Sequence, residues 1–273
     1  MGSIWIIGAS SGIGKSLALS YASLGYEVVI SARSQQKLVE LRNDFNDQKS
    51  RSKISSEIGA GSMVVLPLDI TDSSSINEAV SKLYQSSNSA TVEKVIINAG
   101  TCEYVDDLPI DTELFKRIFD TNLFGVINCV NAALPLLESN TTDSSKQLVF
   151  VSSSVTYQSL PRAHAYGGSK AALRYLAECL KVDLLDSSID VRIVSPGFVK
   201  TPLTDKNDFE MPFLISSEEA AQRIIKGLKG SSFDIQFPKR FTLILKLFSL
   251  MPDALKFKCL SKMTKPKSAP EQV

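Results

Sequence analysis

Histidine and cysteine are both scarce in this sequence of 273 residues. The chain has one histidine, His164, and its four cysteines, at positions 102, 129, 179 and 259, show no short metal-ligand spacing. A zinc site or a Ser/His/Asp triad needs more of these residues than the chain supplies, so we expect neither, and we predict no metal. Each cysteine is interpreted as a buried, reduced thiol of a cytosolic protein.

The sequence also lacks long hydrophobic runs and any large excess of charge. No stretch approaches the roughly 20 apolar residues of a membrane-spanning helix, and the apolar run at 4–7 is too short for a signal peptide. The formal net charge is +1, which gives no reason to expect a nucleic-acid partner. We therefore predict a cytoplasmic protein that binds no nucleic acid.

Short apolar runs alternate with amphipathic stretches of helix length as far as about position 237. The predicted strands are 3–8, 26–31, 63–68, 92–98, 147–152, 190–195 and 233–237. The predicted helices are 13–23, 34–46, 73–87, 111–138, 165–187 and 216–229. Uninterrupted β-branched runs suit strands covered on both faces, and strand and helix alternation favours parallel strands with right-handed crossovers. The predicted fold is α/β: a doubly wound, Rossmann-type fold with a seven-stranded parallel sheet and helices on both faces.

Residues 1–237 are predicted to form a single domain, because no Pro/Gly/Ser-rich linker divides the pattern. The polar segment 48–62 is predicted to be a surface loop or a short extra helix. Residues 197–216 form a long connection beyond the carboxyl end of a strand, where open α/β sheets bind ligands. Residues 238–265 are predicted to form a C-terminal helical extension, and 266–273 a disordered tail.

The first predicted strand runs directly into the sequence GASSGIG. Glycines at the start of a helix permit a tight turn and the close approach of a pyrophosphate to backbone N–H groups, where the helix dipole favours an anion. The spacing differs from the G-x-G-x-x-G fingerprint, and a simple glycine turn is the alternative. Its position between a strand and a helix favours a phosphate site formed by Gly8, Ser10, Ser11, Gly12, Ile13 and Gly14.

The second predicted strand ends in ISARS, which contains Arg33 and no carboxylate. A carboxylate here pairs with the ribose 2′-hydroxyl of NAD, whereas a guanidinium suits the 2′-phosphate of NADP. The sequence therefore favours NADP(H) over NAD(H), with a solvated cation at the start of a helix as the alternative for Arg33.

Seven motifs carry a family resemblance. They are Gly8-x-x-x-Gly12-x-Gly14, LDIT with Asp69, NAG at 98–100, TNLFG with Asn122, serines at 152–154, Tyr166-x-x-x-Lys170, and SPGFVKT at 195–201. With these motifs in this order, residues 3 to about 237 resemble a short-chain dehydrogenase/reductase of the branch of about 250 residues. The resemblance implies an oxidoreductase that transfers a hydride between NADP(H) and a carbonyl or alcohol.

The resemblance also implies a catalytic set of four residues. Tyr166 is expected to exchange a proton with the substrate oxygen, while Lys170, one helical turn later, stabilises the phenolate and holds the nicotinamide ribose. Ser153, thirteen residues before the tyrosine, would stabilise charge on the substrate oxygen, and its two serine neighbours are interpreted as packing and capping residues. Asn122 would interrupt its helix and hold a water in a proton relay, with satisfied burial as the alternative.

By the same resemblance the cofactor site extends beyond the glycine turn. Asp69 would contact the adenine ring, although it also suits a cap-like position before the next helix. The other expected contacts are Ile70, Asn98, Ala99, Gly100, Tyr166, Lys170, Pro196, Gly197, Val199 and Thr201. His164, two residues before the tyrosine, either faces the substrate or is a structural or surface residue.

The substrate is expected to be hydrophobic, lipid-like or steroid-like, because two segments near its site are rich in apolar residues. They include Phe198, Leu203, Phe209, Met211, Phe213 and Leu214 in the long connection, and Phe241, Leu243, Ile244, Leu245, Leu247, Phe248, Leu250 and Met251 in the tail. A core or dimer interface is the alternative for such a stripe. Alternatives for the whole chain are a non-catalytic NADP(H)-binding regulatory protein, and an epimerase or dehydratase on the same scaffold.

The tail is distinctly basic. From position 239 onward it carries eight lysines and arginines against two acids. Basic residues interleaved with leucine and phenylalanine suit a helix on an anionic membrane surface, which would make the protein membrane-peripheral. A helical hairpin packed on the domain or on a partner subunit is the alternative. A homodimer or homotetramer is the expected assembly.

Overall fold

Seven parallel strands form one sheet in the computed structural model, which describes residues 2–51, 61–85, 92–106, 108–138 and 146–263. The strands are β1 (Ser3–Ile7), β2 (Glu27–Ser31), β3 (Ser62–Val65), β4 (Val92–Ile97), β5 (Lys146–Val151), β6 (Ile189–Pro196) and β7 (Asp234–Phe237). Their order is β3-β2-β1-β4-β5-β6-β7, and each neighbouring pair is parallel. The predicted Rossmann-type α/β fold is confirmed.

Helices follow the strands and cover both faces of the sheet. They are α1 (Gly12–Ser23), α2 (Gln35–Arg51), α3 (Ser73–Gln85), α4 (Thr112–Phe119), α5 (Gly125–Glu138), α6 (His164–Asp183), α7 (Ser217–Leu228), α8 (Lys239–Ser249) and α9 (Asp253–Met263). The strand order reverses between β1 and β4, so the connections that follow these strands run in opposite directions. Such a switch point leaves a crevice at the carboxyl ends of the strands.

The side chains of β1 divide the core into two layers. Ile4 and Ile6 pack with α1, α2 and α7 on one face, whereas Trp5 and Ile7 pack with α3, α5 and α6 on the other. All four side chains are at most 1% exposed. Successive residues of a strand point to opposite faces, so a strand covered on both faces needs an uninterrupted apolar run.

The predicted helix 111–138 is helical from Thr112 to Glu138, but it is not α-helical throughout. The chain forms α4, then a π-helical turn over Asp120–Phe124, and then α5. The Gly125 N–H donates to the Asp120 carbonyl oxygen, five residues earlier, which is the bond of a π turn. The extra residue in this turn accommodates Asn122, whose fully buried side chain bonds to the Thr101 backbone.

Other boundaries differ less. Helix α2 continues to Arg51, whereas the prediction ended it at 46, and residues 52–60 of the predicted loop lie outside the described residues. Strand β3 ends at Val65, two residues before Pro67, which has no N–H for the ladder. Helices α8 and α9 lie within the predicted extension 238–265. The predicted disordered tail, 266–273, is also outside the described ranges, and the single domain at 1–237 stays a prediction.

Of the four cysteines interpreted as buried, only Cys129 is buried, and the interpretation is wrong for Cys179. Cys129 is buried, Cys102 and Cys259 are half-buried, and Cys179 is exposed; all four thiols are free. Cys179 lies on the solvent side of α6, near Tyr175 and Val182, which are also exposed. One face of an amphipathic helix necessarily points to solvent.

Replacing Trp5 should test how far the core depends on the central strand. Trp5 is fully buried, and its Nε1 donates to Ser31 Oγ at 2.8 Å. We expect Trp5→Ala to lower the free energy of unfolding by about 3–5 kcal/mol, because the loss of an indole leaves a cavity. Tyr175→Ala, at a side chain that is 72% exposed, is the control, with an expected change within about 0.5 kcal/mol. Equal losses in urea denaturation would contradict the prediction.

Candidate active site

A cleft of about 750 Å³ lies at the carboxyl ends of the strands. Nearly all the site residues predicted from the sequence line it, although they come from several separate segments of the chain. Those lining the cleft are Gly8, Ser10, Ser11, Gly12, Ile13, Arg33, Asp69, Ile70, Asn98, Ala99, Gly100, Ser153, Tyr166, Lys170, Pro196, Gly197, Val199 and Thr201. The other two predicted residues, Gly14 and Asn122, do not line the cleft; their contacts are described below.

The turn between β1 and α1 depends on its glycines. Gly8 and Gly12 have positive φ angles of 92° and 53°, and a Cβ on Gly8 would lie 2.5 Å from the Ala99 nitrogen. A Cβ on Gly14 would overlap the Gly8 carbonyl oxygen and lie 2.6 Å from Asn98 Nδ2. Asn98 Nδ2 donates to that carbonyl at 2.9 Å, so the turn is held against the end of β4. The turn is therefore tight, and it leads directly into the start of α1.

Two cations lie at the end of β2. Arg33 lines the cleft together with Ser34 and Lys37, and both cationic side chains are exposed. Residues 31–37 contain no carboxylate. Lys37, in the first turn of α2, was not predicted as a site residue. Arg33 precedes the helix, so no helical spacing relates the two cations.

Asp69 has a local structural role as well as a place in the cleft. Its Oδ1 accepts hydrogen bonds from the N–H and hydroxyl of Thr71, at 3.0 and 2.8 Å. Asp72 Oδ1, by contrast, accepts from the Ser74 N–H at the start of α3. Asp69 therefore stabilises the turn after β3, and Asp72 occupies the position that caps the helix.

Tyr166 and Lys170 lie one turn apart near the start of α6, and both line the cleft. Lys170 is 4% exposed, and its Nζ donates to the Val151 carbonyl oxygen at 3.0 Å. A Cβ on Gly100 would lie 3.3 Å from Lys170 Nζ and 3.2 Å from Asn122 Oδ1. Gly100 therefore keeps the space open where the lysine and the asparagine approach each other.

Asn122 lies beneath the cleft in the π-helical turn. Its Oδ1 accepts from the Thr101 N–H at 2.8 Å, and its Nδ2 donates to the Thr101 carbonyl and to Ser169 Oγ, at 2.9 and 3.0 Å. These bonds satisfy the buried amide and fix the chain that follows Gly100. The proposed relay through Asn122 stays a prediction.

The three consecutive serines have different surroundings. Ser153 lines the cleft, and its Oγ accepts from the Val155 N–H at 3.2 Å, at the start of a short 3-10 turn. Ser152 also borders the cleft, but it is buried and its hydroxyl donates to the Lys170 carbonyl at 3.4 Å. Ser154 is buried within the 3-10 turn. Half-buried Ser153 is the most accessible of the three, and its catalytic role stays a prediction.

Comparison with known proteins identifies the family. The family model for short chain dehydrogenase matches residues 3–211. The chain belongs to this family. An uncharacterized oxidoreductase of Myxococcus xanthus is 30% identical over 252 residues, which are 92% of this chain and 92% of that protein.

Solved short-chain dehydrogenases share the fold. One from Sphingobium yanoikuyae, in complex with NADPH, has a TM-score of 0.74 at 20% identity and covers 100% of this chain and 99% of its own. Another, from Burkholderia phymatum in complex with NAD, has a TM-score of 0.77 at 16% identity, with coverages of 100% and 98%. At these identities the likeness establishes the fold alone.

Burial shifts the pKa values of the tyrosine and the lysine of this short-chain dehydrogenase in opposite directions. It raises the pKa of Tyr166 to about 12, and a hydrogen bond with Ser153 opposes that rise. It lowers the pKa of Lys170 to about 8. In both cases burial shifts the equilibrium towards the neutral form, because removing a group from water disfavours its charged form. With a pKa near 8, Lys170 still carries its charge in most molecules at neutral pH.

Cys102 is a neighbour of these groups that the sequence analysis did not place in the site. Burial raises the pKa of its thiol to about 11, and its charged form would interact with Tyr166 and Lys170. The thiol therefore stays protonated at neutral pH and has little nucleophilic character.

His164 does not line the cleft. It is the first residue of α6, and its side chain is exposed. This position favours the structural or surface interpretation over a role in substrate recognition.

Aromatic rings join the loop after β4 to the long connection after β6. The centroid of the Phe209 ring lies 5.6 Å from that of Tyr104 and 5.9 Å from that of Phe198. Phe241 of α8 lies 5.5 Å from Phe198 and 6.0 Å from Phe213. The long connection is therefore packed between the β4 loop and the C-terminal extension.

Arg162 also joins the loop after β4 to the long connection after β6, through two ion pairs. Its guanidinium pairs with Asp106 at 2.6 Å and with Asp208 at 2.7 Å, and lies 5.3 Å from the centroid of Tyr104. The three charged residues are far apart in the chain, so no local pattern in the sequence indicates this contact. Arg162 also has a positive φ of 64°, an uncommon conformation for a residue other than glycine.

An alanine at Gly14 should disrupt the glycine turn. Because the added Cβ overlaps the Gly8 carbonyl, we expect Gly14→Ala to weaken NADPH binding at least about tenfold, measured by fluorescence titration. Gly230→Ala is the matched control, since its Cβ would meet only the Gly227 carbonyl oxygen, at 3.4 Å. Circular dichroism verifies that both variants fold. Equal affinities for NADPH would show that the turn does not form the phosphate site.

Proposed function

We propose that this short-chain dehydrogenase transfers a hydride between NADP(H) and a hydrophobic carbonyl or alcohol, with Tyr166 as the general acid/base. The observation that carries the proposal is the common cleft: Ser153, Tyr166 and Lys170 line the same cavity as the glycine turn. A phosphate-binding turn and a proton-transfer group must meet at one site for this reaction.

The residues present fit a dinucleotide. A side chain at Gly8 or Gly14 would overlap neighbouring backbone, so the turn must be tight. The N–H groups of Gly8 and Ala9 donate to the Ser31 carbonyl, at 2.7 and 3.0 Å, so the N–H groups at the start of α1 would be the ones that hold phosphates. Arg33 and Lys37 would hold the adenosine end, and Lys170 would hold the nicotinamide ribose. When bound, the cofactor supplies the hydride or accepts it.

The protein's own residues would handle the proton. In the reductive direction, the Tyr166 hydroxyl donates its proton to the substrate oxygen, and Ser153 donates a hydrogen bond to the same oxygen. A pKa of about 12 keeps the tyrosine protonated at neutral pH, which suits a proton donor. Lys170 in its charged form would stabilise the phenolate that remains, and Asn122 would connect this pair to solvent through a water.

The preference for NADP(H) rests on the cations at the end of β2. The solved relatives include complexes with NADPH and with NAD, so the shared fold accepts both cofactors. Arg33 and Lys37 are exposed on one rim of the cleft. Two cations without a nearby carboxylate at 31–37 favour the additional phosphate of NADP.

The proposal of a hydrophobic substrate rests on the aromatic wall beside the cleft. Tyr104, Phe198 and Phe209 pack together there, and Leu203 lines the cleft itself.

A non-catalytic NADP(H)-binding protein, or an epimerase or dehydratase, would use the same fold. The complete set of Asn122, Ser153, Tyr166 and Lys170 favours turnover. A cytoplasmic location and a homodimer or homotetramer remain predictions from the sequence.

The proposed cofactor preference predicts that removing the two cations weakens the binding of NADPH but not that of NADH. We expect the double variant R33A/K37A to weaken NADPH binding by about tenfold to a hundredfold, because two phosphate contacts are lost, and to leave NADH binding within about twofold. Isothermal titration with each cofactor measures both affinities. Lys226→Ala, on α7 and outside the cleft, is the control for a general change of charge. If NADPH and NADH lost affinity equally, the 2′-phosphate assignment would be wrong.

The reaction itself is tested by an NADPH-coupled screen of aldehydes and ketones. We expect stoichiometric NADPH oxidation with long-chain or polycyclic carbonyls, and a loss of kcat of at least about a hundredfold in Tyr166→Phe, which lacks the transferable proton. Tyr175→Phe, the same change at an exposed tyrosine of the same helix, should leave kcat unchanged. Faster turnover of small polar carbonyls would refute the hydrophobic substrate class. Tight NADPH binding without turnover would favour the regulatory alternative.

A further inference from the structure

Helix α8 has two apolar faces. One packs against the domain, and no other described residue covers the second. Phe241 and Leu245 are buried against the domain. Leu243, Leu247 and Leu250 are 57%, 58% and 80% exposed, and Ile244 is 51% exposed. These positions follow the helical spacing of three and four residues, so they form one stripe along the outer side of the helix. A contiguous exposed apolar stripe of this kind marks an interaction surface.

Cations precede and follow this stripe in the sequence. Residues 239–263 contain six lysines and arginines and one acid, Asp253, which pairs with Lys256 at 2.7 Å. Lys246 is also engaged, with its Nζ 4.5 Å from the centroid of the Tyr157 ring. Lys239, Arg240, Lys258 and Lys262 are exposed, and within the described ranges no acidic side chain forms an ion pair with any of them.

We propose that the exposed stripe of α8 docks on an anionic lipid surface. An amphipathic helix with leucines on one side and lysines and arginines beside them binds such a surface through apolar burial and headgroup attraction together. Among the described residues no helix is long and apolar enough to cross a bilayer, so the contact would be peripheral.

The charge distribution favours lipid over a second copy of the chain. In a two-fold dimer each patch faces the same patch, so the unpaired cations of one copy would meet those of the other. An anionic membrane supplies the opposite charge for Lys239 and Arg240 of α8 and for the exposed lysines of α9. The two interpretations of the tail are therefore compatible: one side of α8 packs on the domain, and the other side is left for lipid.

Vesicle flotation of the full chain tests the proposal. The probes are vesicles of phosphatidylcholine with about 30 mol% phosphatidylserine, and vesicles of phosphatidylcholine alone. We expect binding to the anionic vesicles that weakens between low and high salt, and at least about a tenfold loss in L247E/L250E. K239E/R240E should lose binding to the anionic vesicles.

V182E/L185E is the matched control, because it makes the same kind of change at two other apolar residues, which are 64% and 66% exposed. It should bind vesicles as the unmodified chain does, and thermal melting verifies that all variants fold. Unchanged binding of L247E/L250E, or no binding of the unmodified chain to anionic vesicles, would overturn the proposal. So would an oligomer that dissociates in L247E/L250E, because a second copy would then cover the stripe.

Discussion

The amide side chain of Asn98 holds together the two strand ends on which the cleft depends. Strands β1 and β4 are neighbours in the sheet, yet the connections that follow them run in opposite directions. Asn98 Nδ2 bonds to the Gly8 carbonyl, and the N–H groups of Asn98 and Ala99 bond to the Ile7 carbonyl, both at 2.9 Å. Because the turn and the β4 end are fixed to each other, the glycines and Gly100 face one cavity. The glycine turn and the Tyr166 and Lys170 pair thus line the same cavity.

The fold could be predicted from the sequence because its strongest signals are local. A strand buried on both faces requires an apolar run, and β1, β4 and β5 contain such runs at 4–7, 95–97 and 148–151. The π-helical turn between α4 and α5 could not be predicted from periodicity, since it depends on the bonds between Asn122 and the Thr101 backbone. The family resemblance supplied that expectation instead.

The candidate site, like the fold, combines features that are local in the sequence with features that depend on distant residues. The glycine turn and the Tyr166 and Lys170 pair are recognisable from spacing, because their members lie within a few residues of each other. The ion pairs of Arg162 with Asp106 and Asp208 join three distant segments, and nothing in their local sequence indicates the contact. The pKa of Lys170, near 8, likewise depends on burial from several elements, which no short motif encodes.

Lys246 connects the C-terminal extension to the part of the site that carries Ser153. It lies over the ring of Tyr157, which directly follows the 3-10 turn at 154–156, and the Tyr157 hydroxyl bonds to Asp234 at 2.6 Å. Phe241 of the same helix touches the long connection through Phe198. Helix α8 therefore supports two borders of the cleft, and removing it would disturb the proposed reaction and the proposed lipid contact together. Single side-chain changes on its outer side separate these two roles, whereas truncation of the chain does not.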